Sequence, residues 1–304
     1  MSEADLIHRI QELFPRAGDD CAVAGIQVLT TDMLVEDVDF TADTPSELLA
    51  RKSLAVNLSD LAAMGARPTI ALVALGGPDE GRLRDVVEAL AVAARGWKIE
   101  IVGGDLSRAE KLVIAITAIG ETGDPLLRSG AMRGDRIYVS RPLGGAAAGL
   151  HFLQHPPVNP GFALRELIES AIRRQRDPEP EIELGLKLHG IATACIDVSD
   201  GLSTDLHHLC QASRCGAEIE RERIPVFPDL QRSGPQLGIN VAEAVLHGGE
   251  EYALIFTSAL RESEISARTG RPVYAIGRIV EEPGVRLNGQ PLAAKGWDHF
   301  NRSS

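Results

Sequence analysis

The amino-acid sequence predicts an α+β protein arranged as two α/β domains, and three observations carry that expectation. Helical and strand-like patterns alternate along the whole chain, the mixture expected of helices packed on sheets. A glycine-containing, charged loop at residues 128–135 interrupts them near the middle. After that loop the second half returns to a motif of the first, a strand that delivers acids to a glycine turn. The chain has 304 residues, 44% hydrophobic and 24% charged, which is ordinary globular composition and enough length for two domains sharing a large core. The boundary falls at Asp135, giving domains of residues 1–135 and 136–304.

Residues 4–13 form an amphipathic pattern and predict a short helix. Gly18-Asp19-Asp20 is a turn carrying two acids, followed by a strand at Ile26 to Thr31 that runs into Asp32, with Glu36, Asp37 and Asp39 after it. Thr44 to Ala66 is the central element. Thr44 with Glu47 reads as a capping box with Pro45 at the first helical position, and Gly65 and Pro68 end the helix. Leu54, Ala55, Val56, Leu58, Leu61, Ala62 and Met64 make it apolar nearly all round, so it is a buried helix. Ser53, Asn57 and Asp60, spaced four and then three apart, form one polar stripe that faces something inside the protein. Taken alone, Asp60 is as consistent with capping a neighbouring loop as with a functional acid.

Thr69 to Leu75 predicts a buried strand, Pro78 opens a helix to about Gly96, and Ile99 to Val102 predicts a strand ending at Gly103-Gly104-Asp105. Lys111 to Gly120 alternates as a strand. Beyond the boundary loop, Arg136 to Ser140 is a strand and Gly144 to Leu153 a small-residue helix. A Pro-rich, charged piece from His155 to Pro180 with a helix at Phe162 to Arg174 is expected to be peripheral. Ala194 to Val198 is a strand ending in Asp197-Val198-Ser199-Asp200-Gly201, followed by a helix carrying Asp205, His208 and Leu209; Gly248-Gly249-Glu250-Glu251 precedes a strand at Tyr252 to Thr257.

Composition excludes several function classes. Net charge is −12 and the basic residues form no run beyond Arg173 to Arg176, so a nucleic-acid partner is not expected. No apolar run reaches membrane-spanning length and the N-terminus lacks a signal-peptide pattern, so no membrane association and a cytoplasmic location are expected. Cys21, Cys195, Cys210 and Cys215 show no C-x-x-C spacing and are read as reduced thiols without chemistry.

Asp20, Asp32, Asp60, Asp105, Asp197 and Asp200 each sit at a strand end, a glycine turn or the polar stripe, where an apolar scaffold can aim them inward. Converging carboxylates repel unless cations meet them, and an all-oxygen donor set suits magnesium. Asp-bound magnesium is also how a protein of charge −12 admits a nucleoside triphosphate, which points to phosphoryl transfer. The chain has no G-x-x-x-x-G-K-[ST] loop, so Gly103-Gly104 and Arg128 are the candidate phosphate contacts. For Arg128 the alternative is a simple loop salt bridge, and for Trp297 a residue that seals the core.

Eight motifs in order extend this reading: GDD at 18–20, TTD at 30–32, AVNLSDLAAMGA at 55–66, GGD at 103–105, RSGA at 128–131, DVSDGL at 197–202, GGEEY at 248–252 and GWDHF at 296–300. Together they resemble the thiamine-monophosphate kinase family, part of the superfamily of aminoimidazole-ribotide synthetase, selenophosphate synthetase and a hydrogenase maturation protein. The resemblance implies an aminoimidazole-ribotide synthetase-like fold and a homodimer whose N-terminal mixed sheets form a barrel. It implies direct transfer of the ATP γ-phosphoryl group to thiamine phosphate, with no covalent nucleophile. Carried over by position, Asp20, Thr30, Thr31, Asp32, Asp60, Asp105, Asp197 and Asp200 would bind several magnesium ions. Gly104, Asp105, Arg128 and Ser199 would contact ATP, and Asp39, Glu250 and Trp297 the thiamine phosphate.

Two departures touch the acceptor side: the family usually has His at the position of Asp39, and GGEDYEL where this chain has Glu250-Glu251-Tyr252-Ala253-Leu254. Selenophosphate synthetase would require a reactive Cys near a Lys in the N-terminal glycine loop, and the hydrogenase maturation protein ends in a functional Cys. Neither feature is here, since Cys21 follows the acids and the tail reads His299 to Ser304. The alternatives are another ATP-dependent enzyme of the superfamily, ribotide synthetase-like, or a non-catalytic nucleotide- or divalent-cation-binding protein.

Overall fold

Two sheets flank the segment 122–135 in the computed structural model, which describes residues 3–14 and 17–297. The first half runs α1 (Glu3–Leu13), β1 (Ala22–Ala24), β2 (Gln27–Val35), α2 (Ser46–Ala63), β3 (Arg67–Gly77), α3 (Glu80–Trp97), β4 (Glu100–Arg108) and β5 (Val113–Glu121). Its five strands are ordered β1-β2-β5-β3-β4, with only β3 and β4 parallel. The alternation read from the sequence sets the two faces of this sheet. Val28 and Leu34 of β2, Ile114 and Ile116 of β5, and Val73 and Leu75 of β3 are buried in one core with the apolar residues of α2 and α3. On the opposite face Met33 and Leu72 are open to solvent.

The second half runs β6 (Arg136–Val139), α4 (Gly145–Gln154), α5 (Phe162–Arg176), α6 (Ile182–Lys187), β7 (Ala194–Asp197), α7 (Leu202–Ser213), β8 (Gly216–Ile219), α8 (Leu230–Ser233), α9 (Val241–His247), β9 (Leu254–Ser258), α10 (Glu262–Thr269), β10 (Tyr274–Val280), β11 (Gly284–Leu287) and β12 (Gln290–Pro291). Seven strands form a sheet ordered β12-β11-β8-β10-β6-β9-β7, which puts β7 at one edge. The edge position lets the loop after β7 lie open toward the first half.

Helix α2 joins the two halves. It packs on β2 and β5 with one side and on α6 and β7 with the other, and it is buried along almost its whole length. The capping box expected at Thr44 and Glu47 does not form. The helix starts at Ser46 with Pro45 in the capping position and no side-chain cap, because the Thr44 hydroxyl is paired with that of Thr41 at 3.2 Å. Arg82 ties down this entry, donating to the Thr44 carbonyl at 2.6 Å and the Ser46 hydroxyl at 3.1 Å. The stop is as expected, with Gly65 at φ +62°.

Two further expectations need correction. Strand β4 does not end at Val102 but continues through Gly103-Gly104-Asp105 to Arg108, because β3 supplies a parallel partner as far as Gly77. Gly104 allows that approach, since a Cβ there would lie 1.8 Å from the Val73 carbonyl oxygen. Helix α5 is not peripheral. It packs along α4 with Leu167 and Ala171 buried, it touches α2, and its last turn points Gln175 at Glu250.

The junction between the halves is close. A Cβ on Gly185 of α6 would meet the Ala62 carbonyl of α2 at 2.0 Å, and His189 hydrogen-bonds the Gly65 carbonyl at 2.7 Å. Gly185→Ala should push α6 off α2, lowering stability by roughly 1–3 kcal/mol as overpacking does. Urea unfolding monitored by circular dichroism checks this, and an unchanged midpoint would mean that α6 can shift without loss.

Candidate active site

Three acids, Asp20 and Asp197 buried and Asp60 half-buried, meet where α2 passes between the sheets. Asp20 comes from the turn after α1, Asp60 from the last turn of α2, and Asp197 from the end of β7. One carboxylate oxygen from each lies within 4.8 Å of the others. Asp60 accepts a hydrogen bond from the Thr30 hydroxyl of β2, and Ser59 Oγ donates to Asp197 Oδ2 at 2.5 Å. Burial raises the pKa of Asp60 well above the ordinary range, reinforced by Asp32, Asp197 and Asp20. Burial, and then Asp20, pushes Asp197 up to about 8 against the hydrogen bond from Ser59. The sequence reading of Asp60 as a loop cap is replaced by this geometry, because its hydrogen bond comes from a side-chain hydroxyl of β2.

Arg128 supplies the cation of the cluster. Its Nη2 donates to Asp20 Oδ1 at 2.6 Å and its Nε to the same oxygen at 3.1 Å. The loop salt bridge considered from the sequence is therefore present, but with Asp20's side chain fully buried. Asp20 Oδ2 is buried without a hydrogen-bond partner. An orphaned carboxylate oxygen beside Asp60 and Asp197, in an all-oxygen donor set, fits a hard divalent cation. Asp19 braces Arg128 from behind, both of its oxygens accepting from the Arg128 amide at 3.2 Å, and burial and Asp20 push it up to about 6.

Asp32 extends the cluster along β2. Its amide donates to Asn57 Oδ1 at 3.1 Å, and burial, then Asp39, Asp200 and Asp20, push its carboxyl up to about 6. The stripe of Ser53, Asn57 and Asp60 therefore faces β2 and the cluster, and Asn57 and Ser53 are both buried. Asp39 turns back to accept from the Val35 amide at 2.7 Å. Asp200 follows Asp197 on the loop entering α7. There Asp205, buried, accepts from the amides of Asp200 at 3.2 Å and Gly201 at 3.0 Å, and Asp205 and His208 lie close to Asp200. Burial, helped by Arg128 and His207, pushes His208 down to about 4, so its ring is neutral near pH 7.

The residues expected on the acceptor side lie around this cluster. Glu250 follows the Gly248-Gly249 turn; its amide donates to the Ser199 carbonyl at 2.7 Å, so the loop after β7 and the segment before β9 are one hydrogen-bonded unit. Trp297 is half exposed and its amide reaches the Asp200 carbonyl at 3.3 Å, which places the last described residue at the rim of the cluster. Asp298 to Phe300 lie outside the described residues. Glu251, a departure from the family pattern, turns away from the cleft: it is 1% exposed and accepts from the Ala146 amide at the start of α4 at 2.9 Å.

Thr31, Gly104 and Asp105 are not brought to the cluster within one chain. Thr30 and Asp32 point to the α2 side of the sheet, so Thr31 between them points to the open side. Asp105 is on that same open side, in a cross-strand row with Ala74, Ala115 and Met33. Three strand spacings separate it from β2, about 14 Å at 4.8 Å each. Gly104 is explained by the β3 approach. Sequence reasoning missed Asp19, Ser59 and Lys52 as site neighbours; Ser59 and Lys52 share a helix face seven residues apart, a signal hidden because a core helix presents no outside from which to count.

Comparison with known proteins follows from this geometry. The family model for the AIR synthase related protein N-terminal domain matches residues 18–122, and that for its C-terminal domain matches residues 133–290. The chain is 37% identical over 268 residues to a thiamine-monophosphate kinase of Rhodopirellula baltica, covering 85% of this chain and 77% of that one. It is 36% identical over 301 residues to that of Escherichia coli K12, covering 93% and 91%. The solved structure of AaThiL complexed with AMPPCP and TMP matches with a TM-score of 0.89 at 32% identity over 98% of this chain and 97% of that one. Escherichia coli HypE, a hydrogenase maturation protein, shares the fold at a TM-score of 0.68 and 23% identity.

Raised carboxyls set a direction for stability. An unfolded aspartate releases its proton near 3.8, whereas Asp32 does so near 6 and Asp197 near 8 in the fold. Between those values the folded state holds the extra protons, so the contribution of these two groups to metal-free stability is fully present below about pH 4 and is lost as pH rises to about 8. Thermal unfolding in chelator should therefore give a lower Tm at pH 8 than at pH 5.5, and Asp60→Asn should match or exceed wild type at pH 8 while losing activity. A variant that melts well below wild type in chelator, yet keeps its activity, would show that Asp60 serves the fold and not the cluster.

Proposed function

The chain belongs to the thiamine-monophosphate kinase family, and from that premise we propose that its acid cleft transfers the γ-phosphoryl group of ATP directly to thiamine phosphate. The enzyme is a kinase that forms thiamine diphosphate and ADP. The observation that carries the mechanism is the convergence of Asp20, Asp60 and Asp197 around an unpartnered buried oxygen. Magnesium ions held there by Asp20, Thr30, Asp32, Asp60, Asp197 and Asp200 would neutralise the phosphates and orient them in line.

The chain's own residues supply the rest. On this reading Ser199 and the Asp200-Gly201 loop would contact a nucleotide phosphate, and Arg128 would add a guanidinium held by Asp20, with its backbone amide held by Asp19. The thiol at the cluster, Cys21, is held protonated by burial and by Asp60, Asp20 and Asp19, which disfavours it as a phosphoryl carrier and supports direct transfer. Asp39, Glu250 and Trp297 frame the acceptor end. Residues 1–135 would carry nucleotide, metal and dimer contacts, and residues 136–304 would close the cleft. We place the protein in the cytoplasm; among the described residues no helix is long and apolar enough to cross a membrane.

A homodimer would complete the site. Strand β4 is an exposed edge, with Val102 and Leu106 open to solvent, and the face bearing Met33 and Leu72 is uncovered. Closing two such sheets edge to edge into a barrel would bury that face. It would also carry Asp105 and Gly104 of one chain toward Thr31 of the other, supplying ligands that lie about three strands away within a single chain.

Two measurements test this. Purified protein with ATP, magnesium and thiamine phosphate should form thiamine diphosphate and ADP in equal amounts, and acid quenching should recover no phosphorylated enzyme; labelled protein would overturn direct transfer. Mixing Asp105→Ala with Asp60→Asn subunits after mild dissociation should restore about a quarter of wild-type activity, one intact site in each mixed dimer. Two inactive variants that stay inactive when mixed would place Asp105 in the site of its own chain, or outside any site.

A further inference from the structure

Lys52 is a buried cation at the acceptor end of the cleft. Its side chain is 4% exposed, and an ammonium buried to that degree costs several kcal/mol unless an acid meets it. Lys52 precedes Ser59 by seven residues, two helical turns, so the two share the face of α2 that looks at the second half of the chain. Each engages one acid there. Ser59 holds Asp197, and Lys52 Nζ lies 2.5 Å from Glu250 Oε1. That contact is an ion pair off hydrogen-bond angle, so charge and not a directed bond holds it.

Glu250 is fixed on both oxygens. Gln175 Nε2, from the buried end of α5, donates to Oε2 at 2.6 Å. The backbone of Glu250 is left-handed at φ +59°, and Tyr252 follows at φ +47°, conformations that non-glycine residues adopt only when their surroundings impose them. Lys52 and Gln175 are part of what imposes them, together with the bonds from the Glu250 amide to Ser199 and the Tyr252 amide to Val198. The Glu250 amide bond to the Ser199 carbonyl, two residues past Asp197, keeps Glu250 beside the loop that carries Asp197 and Asp200.

We propose that Lys52 is a positioning residue for the phosphate acceptor: with Gln175 it aims the Glu250 carboxylate at the acceptor and cancels its charge, keeping Glu250 out of the metal-binding cluster. The inference rests on the reading that Glu250 faces thiamine phosphate. Without Lys52, Glu250 becomes one more uncompensated carboxylate beside the Asp197 to Asp200 loop, free to turn toward a divalent cation. The cleft is thereby divided into an acid half, where many aspartates share Arg128, and a compensated half, where one lysine answers one glutamate.

Steady-state kinetics of Lys52→Gln, Lys52→Arg, Gln175→Ala and Glu250→Gln, each with ATP and thiamine phosphate varied separately, test this. Lys52→Gln should raise the KM for thiamine phosphate on the order of tenfold, with kcat and the KM for ATP changing about threefold or less, the pattern of lost uniform binding. Lys52→Arg should restore most of that KM, and Gln175→Ala should move it in the same direction as Lys52→Gln; if Lys52→Gln does not fold, Gln175→Ala decides alone. An unchanged KM for thiamine phosphate in Lys52→Gln or Gln175→Ala overturns the inference when Glu250→Gln raises that KM. An unchanged KM in Glu250→Gln itself overturns the reading on which the inference rests. Equal rises in the KM for ATP would assign Lys52 to the nucleotide and metal half instead.

Discussion

At the centre of the molecule, carboxylates from four separate elements are held together against one guanidinium. Asp20, Asp32, Asp60 and Asp197 repel one another in a site mostly shielded from water, and Arg128 stands among them. Such an arrangement is unfavourable by itself. It persists because each acid is attached to structure that is stable for other reasons. Asp60 rides on a helix buried along its length, Asp197 ends a strand whose side chains are all buried, and Asp20 is pinned by Arg128, which Asp19 in turn braces. The hydrophobic cores on either side supply the stability that the cluster spends.

Helix α2 makes this possible by having two polar stripes and no solvent-facing side. One stripe, Ser53, Asn57 and Asp60, serves β2; the other, Lys52 and Ser59, serves the loops before β9 and after β7. Two otherwise separate sheets are thus held to one helix by polar contacts at fixed heights along its axis. The close passage of α6 at Gly185 leaves no slack on the remaining side. Positions of acids contributed by different halves are therefore set by the pitch of a single helix, which is a more rigid ruler than any loop.

The elements whose boundaries depend on local chemistry were legible in the sequence, and those that depend on a distant partner were not. The alternation in residues 111–120 and the glycine at 65 are local signals, and the strand and the helix end lie where those signals put them. The continuation of β4 through Gly103-Gly104-Asp105 depends on β3 pairing beside it, which no feature of residues 100–108 records. The capping box failed for a similar reason, as Thr41 competes for the Thr44 hydroxyl. In the site, Asp20, Asp60 and Asp197 were readable because a carboxylate in an apolar setting is conspicuous. Lys52 was not, since a lysine on a helix is ordinarily solvated and only the position of Glu250 makes it an interior residue.

The division of the site between the two faces of the first sheet follows from the period of a β-strand. Consecutive residues Thr30, Thr31 and Asp32 lie in the middle of β2 and cannot all face α2, so their side chains point in both directions. Within one chain the second direction leads to an open surface with exposed Met33 and Leu72, and Asp105 waits on that surface three strands away. On the proposed reading, a single copy would carry donors that it cannot use. The proposed dimer would answer the sheet's exposed edge, its exposed apolar face and the position of Asp105 together, by bringing a second sheet of the same kind against it. Assembly and metal binding would then be two consequences of one strand's alternation.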